Sequence, residues 1–218
     1  MVGILAIWND CAPEGREHYE RWYRREHLQE RVGVPGFRAG HRYEAVDADR
    51  RYFTFYEVDD PAVLASRPYL DRLNAPTEWT RQAMRSFRGM VRTVCDVTLS
   101  EGDLTGAVAV TLRLSDARPA RALARVLAEA SRDGDGIARV RLWEAAERQT
   151  PPGTREMEGR DGPDASVPAA IVIECLRATG AQAVAARLRQ ETAESGADAA
   201  ACAIGIYAHL CSLRRDRA

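Results

Sequence analysis

The 218-residue chain contains no lysine, so all 31 of its basic side chains are arginine. That absence excludes Schiff-base chemistry, a pyridoxal phosphate anchor and the phosphate-gripping lysine of a P-loop. Acidic residues number 32, so the charges nearly cancel and no basic field of the kind that draws nucleic acid is present. No apolar run approaches the roughly 18 residues of a membrane helix, and the apolar start GILAIW carries neither a basic leader nor a small-residue cleavage site. The expectation is a cytoplasmic protein with neither nucleic-acid nor membrane partners. Cysteine is sparse: Cys11, Cys95, Cys175, Cys202 and Cys211 are odd in number and mostly inside apolar runs, which suits reduced, packed thiols better than a disulfide framework. Also missing are G-x-G-x-x-G after a strand, G-x-x-x-x-G-K, G-x-S-x-G and H-E-x-x-H. Dinucleotide enzymes, P-loop ATPases, α/β-hydrolases and zincins each lack their signature.

What is present reads as a soluble globular chain, 45% hydrophobic and 29% charged, long enough for two small cores. A buried strand at 3–10 leads to a helix over 14–32, which Val34-Pro35-Gly36 stops. FRAGHRYEA and RYFTFYEV form a hairpin, two short helices follow over 62–73 and 77–87, and GMVRTVCDVTL is a last strand. The order is β-α-β-β-α-β. The second half repeats it with GAVAVTLRL, a helix over 119–131, GIARVRLWEA, PAAIVIECL, the helix AQAVAARLRQETA and the strand ACAIGIYAHLCSL. This predicts an α+β fold of two tandem ferredoxin-like units, 1–102 and 103–218, packed sheet to sheet so that one chain closes a dimeric-type barrel. The second hairpin carries an insertion at about 147–168, rich in proline, glycine and charge. Its composition reads as a flexible segment, or as a lid over a pocket.

Chemistry points to the first half. Of fifteen aromatic residues only Trp143 and Tyr207 lie beyond Leu99, and His18, His27 and His41 are also early. Tyr19, Tyr23 and His27 stand four apart and share one stripe of the first helix, with Trp22 beside them. His18 is nine residues from His27 and so on the other side, which rules out a shared metal on this helix. Strand alternation puts Phe37, Ala39, His41, Tyr43 and Ala45 on one face, with Arg38, Arg42 and Glu44 opposite. If the helical stripe meets the His41 face, the product is a pocket of apolar walls, two imidazoles and phenolic hydroxyls. The same residues also make an ordinary core with satisfied polar tips.

The run WYRREHLQERVGVPGFRAGHRY at 22–43, followed by RYFTFYEV, PYLDRL and PTEWTRQAMRSFRGMVR, resembles the dimeric α+β barrel superfamily, near its EthD-like branch. The shared features are an aromatic four residues before a histidine (Tyr23, His27), the helix stop Pro35-Gly36-Phe37, and a strand ending Arg42-Tyr43. The likeness covers about the first hundred residues, and the second half shares only the element order. It implies a pocket between sheet and helices and cofactor-free chemistry on small aromatic, polyketide-like or lactone molecules. Such family members pair as homodimers, so the tandem chain departs from the pattern as an intrachain pseudo-dimer, alone or within a further homo-oligomer.

These readings converge on a cofactor-independent enzyme of lyase, isomerase, cyclase or decarboxylase type acting on a small aromatic or enolisable substrate. His27 is the expected general acid or base, with His41 and Tyr23 donating hydrogen bonds to a developing enolate. Trp8, Trp22, Phe37, Tyr43 and Trp79 are the expected walls. Two other readings stand beside it. One is a non-catalytic ligand-binding or stress-associated barrel. The other is a haem-using, monooxygenase-like enzyme with His209 as axial ligand, since the resemblance includes haem-binding relatives.

Overall fold

Runs of β-branched and aromatic residues form eight strands in a computed structural model that describes residues 2–131, 136–194 and 202–215. The first half supplies β1 (Gly3–Cys11), β2 (Phe37–Asp47), β3 (Tyr52–Val58) and β4 (Phe87–Glu101). The second supplies β5 (Val108–Leu114), β6 (Ile137–Ala145), β7 (Ala169–Cys175) and β8 (Cys202–Arg214). Ala201, expected to begin the last strand, lies outside the described residues. Helices α1 (Arg16–Trp22) and α2 (Leu28–Val32) are joined by a wider turn over Tyr23–His27, and α3 (Arg67–Asn74) and α4 (Glu78–Met84) follow. The second half has α5 (Ala120–Ser131) and α6 (Ala178–Glu194). The expected β-α-β-β-α-β order therefore occurs twice.

The strands form one closed antiparallel barrel in the order β1-β3-β2-β8-β5-β7-β6-β4. Each half contributes four neighbouring strands in the ferredoxin-like order, β4-β1-β3-β2 and β8-β5-β7-β6. The β2·β8 and β4·β6 seams join them, so closure leaves no unpaired sheet edge. The fold is thus the α+β barrel that the repeated element order predicts, completed within one chain. Cys11, Cys95 and Cys175 are buried as expected, whereas Cys202 and Cys211 are half-buried. Among the described residues no helix is long and apolar enough to cross a membrane.

Helices cover the outside of both sheets, so β1, β3, β5 and β7 are buried on two faces nearly throughout, and three cores result. One lies between the first sheet and its helices, built on Ile7, Tyr23, Tyr56 and Phe87. One fills the barrel, with Trp8, Tyr43, Phe53, Phe55, Trp143 and Tyr207. The third, between the second sheet and α5 and α6, is assembled from Ala, Val, Leu, Ile and Cys.

Two local devices set which residues enter which core. Gly36, with φ of +90°, turns the chain after Pro35, and its carbonyl accepts from the Asp59 N–H at 2.8 Å. Immediately after it, β2 is bulged against β3: Phe37 pairs with Val58 and Ala39 with Glu57, leaving Arg38 as the extra residue. The bulge turns Phe37 to the helix side, against Tyr56 and Tyr69, while His41 faces the barrel. Strict alternation, which puts Phe37 and His41 on one face, is corrected here.

The 147–168 insertion makes specific contacts along its length. It leaves the second half and packs on the first. Gln149 exchanges two 2.8 Å bonds with the backbone of Val94, and the Glu156 N–H donates to the Leu73 carbonyl at 3.1 Å. The Ala165 carbonyl then accepts from the Arg92 N–H at 2.8 Å.

The interior aromatic cluster should be the stability centre. Phe53 has no exposed surface and its ring lies 5.0 Å from Trp8 and 5.5 Å from Tyr207. We expect Phe53→Ala to cost about 3–5 kcal/mol. Chemical denaturation checks it, and a loss below 1 kcal/mol would show that the interior collapses around the gap.

Candidate acid-base and binding site

The sequence from Trp22 to Arg31 builds one wall of a covered cavity. Within it the helix widens, and the Leu28 N–H bonds to the Tyr23 carbonyl five residues back. That turn brings residues five apart into register, so His27 stacks on Trp22 with ring centroids 4.1 Å apart. Tyr23 lies edge-on to His27 at 4.8 Å. Trp22 is held from behind by Thr80, whose hydroxyl accepts from the indole N–H at 3.1 Å. Thr77 caps α4 by accepting from the Thr80 N–H, and both hydroxyls reach the Glu26 carboxylate, which ties α4 to the first helical stretch.

Across from His27 the sheet contributes Tyr56, whose hydroxyl is 3.5 Å from that of Tyr23. Arg31, one helical step beyond His27, is buried and forms an ion pair with Glu156 of the insertion. Arg160 stands 3.6 Å from the other Glu156 oxygen and bonds Asp164 at 2.7 Å. Arg92 on β4 donates to the Tyr69 hydroxyl at 3.1 Å and to Thr150 at 2.8 Å. The enclosed space has a volume of about 20 Å³, room for about one water molecule. Thr150, Glu156, Met157 and Arg160 of the insertion form its roof.

Burial pushes the His27 imidazole well below the usual histidine range, and the charges of Arg31, Arg160 and Arg42 push it further. His27 is therefore neutral at pH 7, and its Nδ1 has no hydrogen-bond partner. Burial raises the Tyr56 phenol well above its ordinary value, so it keeps its proton as a donor.

The expected single pocket is divided by the sheet. His27, Tyr23, Trp22 and Phe37 belong to the helix side, with Tyr23 and His27 lining the cavity, Trp22 behind His27, and Phe37 behind Tyr56 and Tyr69. His41, Tyr43 and Trp8 lie in or against the barrel core on the other face. Trp79 is half-buried on α4 beside His18, at 6.1 Å, and does not line the cavity. The face of β2 that meets the tyrosine stripe carries Arg42, whose guanidinium sits 4.2 Å from the Tyr23 ring and bonds Glu20 at 2.7 Å.

Inside the barrel His41 joins a polar chain. Its Nδ1 is 2.8 Å from the Ser212 hydroxyl, and its Nε2 is 3.5 Å from Glu57. Burial alone would raise the Glu57 carboxyl, but the His41 imidazole and the Arg141 charge outweigh it and hold Glu57 at about 2. Arg141 in turn bonds Glu174 at 3.0 Å, and Tyr43 donates to Glu174 at 3.2 Å. His209 Nε2 lies 2.7 Å from Ser212, with the ring 5.0 Å from Tyr43. His209 thus contacts Ser212 and Tyr43, and it does not line the covered cavity.

Sequence reasoning did not single out Arg31, Tyr56, Tyr69, Arg92, Glu156 or Arg160. For Arg31 the signal was present: it is the next four-residue step after Tyr19, Tyr23 and His27.

No family model matches the sequence, and no curated protein does. Solved structures match the fold. An anthrone oxidase-like protein is 9% identical over 98% of this chain and 92% of its own, with a TM-score of 0.61. A provisionally named monooxygenase from Fusobacterium nucleatum is 9% identical over 98% and 95%, with a TM-score of 0.59. A provisionally named chlorite dismutase is 12% identical over 96% and 95%, with a TM-score of 0.51. At such identities the likeness establishes the ferredoxin-like barrel architecture over nearly the whole chain.

The state of His27 has a pH signature. The unfolded chain takes up a proton at this histidine near 6.5, which the folded protein resists. Acidification from pH 7.5 to 5 should therefore remove stability, by at most about 1.4 kcal/mol per pH unit from this group. In thermal melts across that interval, His27→Gln should lose less than the wild-type protein. Parallel curves would mean that His27 titrates normally.

Proposed function

We propose that the covered cavity of the first half is the working site of a cofactor-independent enzyme that moves a proton on a small aromatic or enolisable molecule. The reaction is of lyase, isomerase, cyclase or decarboxylase type. The observation that carries this reading is His27: a buried, neutral imidazole with an unpartnered nitrogen, bordering a cavity. A neutral imidazole is an acceptor for a substrate proton, and its orientation is fixed by stacking on Trp22. The Tyr23 and Tyr56 hydroxyls line the same cavity and are the donors for a developing enolate or phenolate oxygen. Rings on several sides and the roof leave room for about one water molecule, and so dry a space strengthens each of these interactions. Anthrone, named in one structural neighbour, is an enolisable aromatic ketone of the class proposed here. His41 has no part in this step, because it sits across the sheet from the cavity.

Native mass spectrometry of freshly purified protein, paired with its ultraviolet and visible spectrum, identifies candidate ligands for turnover assays. With a substrate in hand, His27→Ala should lower kcat by about 100-fold or more while ligand still binds. Unchanged turnover would remove His27 from the mechanism. A ligand that binds the wild-type protein and is never transformed would favour the non-catalytic barrel instead.

A further inference from the structure

Three buried nitrogens around the covered cavity have no hydrogen-bond partner. Arg31 is 2% exposed, and its Nη1 bonds nothing, although the other terminal nitrogen is paired with Glu156. His27 Nδ1 and Arg160 Nε are likewise buried without partners. The two guanidinium nitrogens can only donate, so an acceptor placed in this space would satisfy them. The charges agree: Arg31, Arg92 and Arg160 border the space, against Glu156 alone, while Asp164 pairs with Arg160 from outside the lining. Among the described residues no carboxylate pairs with Arg92, whose side-chain partners are the neutral Tyr69 and Thr150 hydroxyls. The walls are flat and apolar, with Tyr23, Tyr56, Tyr69 and Phe87 facing Leu5 and Met90.

A six-membered ring does not fit in about 20 Å³, so a ligand enters only if something leaves. The group poised to leave is Glu156. It is carried on the insertion rather than on a strand or long helix, between Gly153 and Gly162, both at positive φ with open space around them. Its side chain already does at Arg31 what a ligand carboxylate would do, presenting an oxygen to a guanidinium that recognises carboxylates by paired hydrogen bonds.

We propose that the cavity binds an aromatic carboxylate, whose carboxyl group replaces Glu156 on Arg31 as the 147–168 segment lifts. Glu156 is thus an internal stand-in for the ligand, holding Arg31 paired and the roof closed while the site is empty. The proposal rests on the first-half cavity being the working site. It also gives His27 its partner: a negative charge set among the arginines offsets the field that suppresses the imidazole, so the base strengthens when the anion arrives.

The test uses benzoate and its uncharged counterpart benzamide, with calorimetry and thermal melts on the full chain. Benzoate should bind and raise the melting temperature, and benzamide should do neither. Glu156→Gln removes the internal competitor while keeping the side-chain shape, and should tighten benzoate by about tenfold or more. Arg31→Gln should abolish binding. If Arg31→Gln does not fold, the half-buried Arg92→Gln takes its place, with binding weakened. Benzoate should also speed tryptic cleavage after the exposed Arg155. Equal binding of benzamide, weaker benzoate binding by folded Glu156→Gln, or no change in cleavage at saturating benzoate would overturn the proposal. Failure here is separable from failure of the enzyme reading: His27-dependent turnover of a neutral substrate without benzoate binding defeats only the anion. Benzoate binding with no His27-dependent turnover of any substrate defeats only the catalysis.

Discussion

Where helices wrap the barrel, as over β1, β3, β5 and β7, neither face of a strand meets water, and alternation along the strand no longer sorts apolar residues from polar ones. It sorts one core from another. His41 and Arg42 are consecutive on β2, yet one stacks on Phe55 inside the barrel and the other lies among Tyr19, Tyr23 and Tyr52 beneath the helices. A buried polar group then draws its partners from its own layer. Arg42 has three rings and Glu20, whereas His41 has Ser212 and Glu57. A one-residue bulge at Arg38 decides which layer receives Phe37, and so gives Tyr56 and Tyr69 the ring that backs the cavity.

The two halves share topology and divide labour. Beneath α5 and α6 the second sheet is faced by residues such as Val110, Leu112, Ile171 and Leu188, which close-pack and offer no acid, base or hydrogen-bond donor. What the second half gives instead is the long connection between β6 and β7. Its Glu156 reaches Arg31 across 125 positions of sequence. A buried ion pair of this type returns little net stability, because both charges lose their water, but it fixes where the roof sits.

Element order was legible because periodicity is local: alternating runs, a Pro-Gly stop and a threonine cap each act within a few residues. Closure into a barrel followed from seeing that order twice. The stripe of Tyr19, Tyr23 and His27 was legible for the same reason, while Arg31 at the next step was hidden by its charge, which in a helix usually means solvent. The widened turn at Tyr23–His27 and the bulge at Arg38 have no strong local signature, and each moves side chains by a register that alternation alone misassigns. The insertion was the least legible part. Its prolines, glycines and charges are those of a disordered linker, and only contacts with Val94, Leu73 and Arg31, remote in sequence, order it.

Fusion of the two units also changes how this architecture can evolve. In a barrel made from two identical chains, every substitution appears twice, at symmetry-related places, and must suit both. Here the β2·β8 and β4·β6 seams join unlike sequences, so a residue can change on one side alone. The connection between β6 and β7 could lengthen into a roof while its counterpart between β2 and β3 stayed a short turn over residues 48–51. The barrel is thereby free of two-fold symmetry, and its second half covers the first with a segment that the first half does not return.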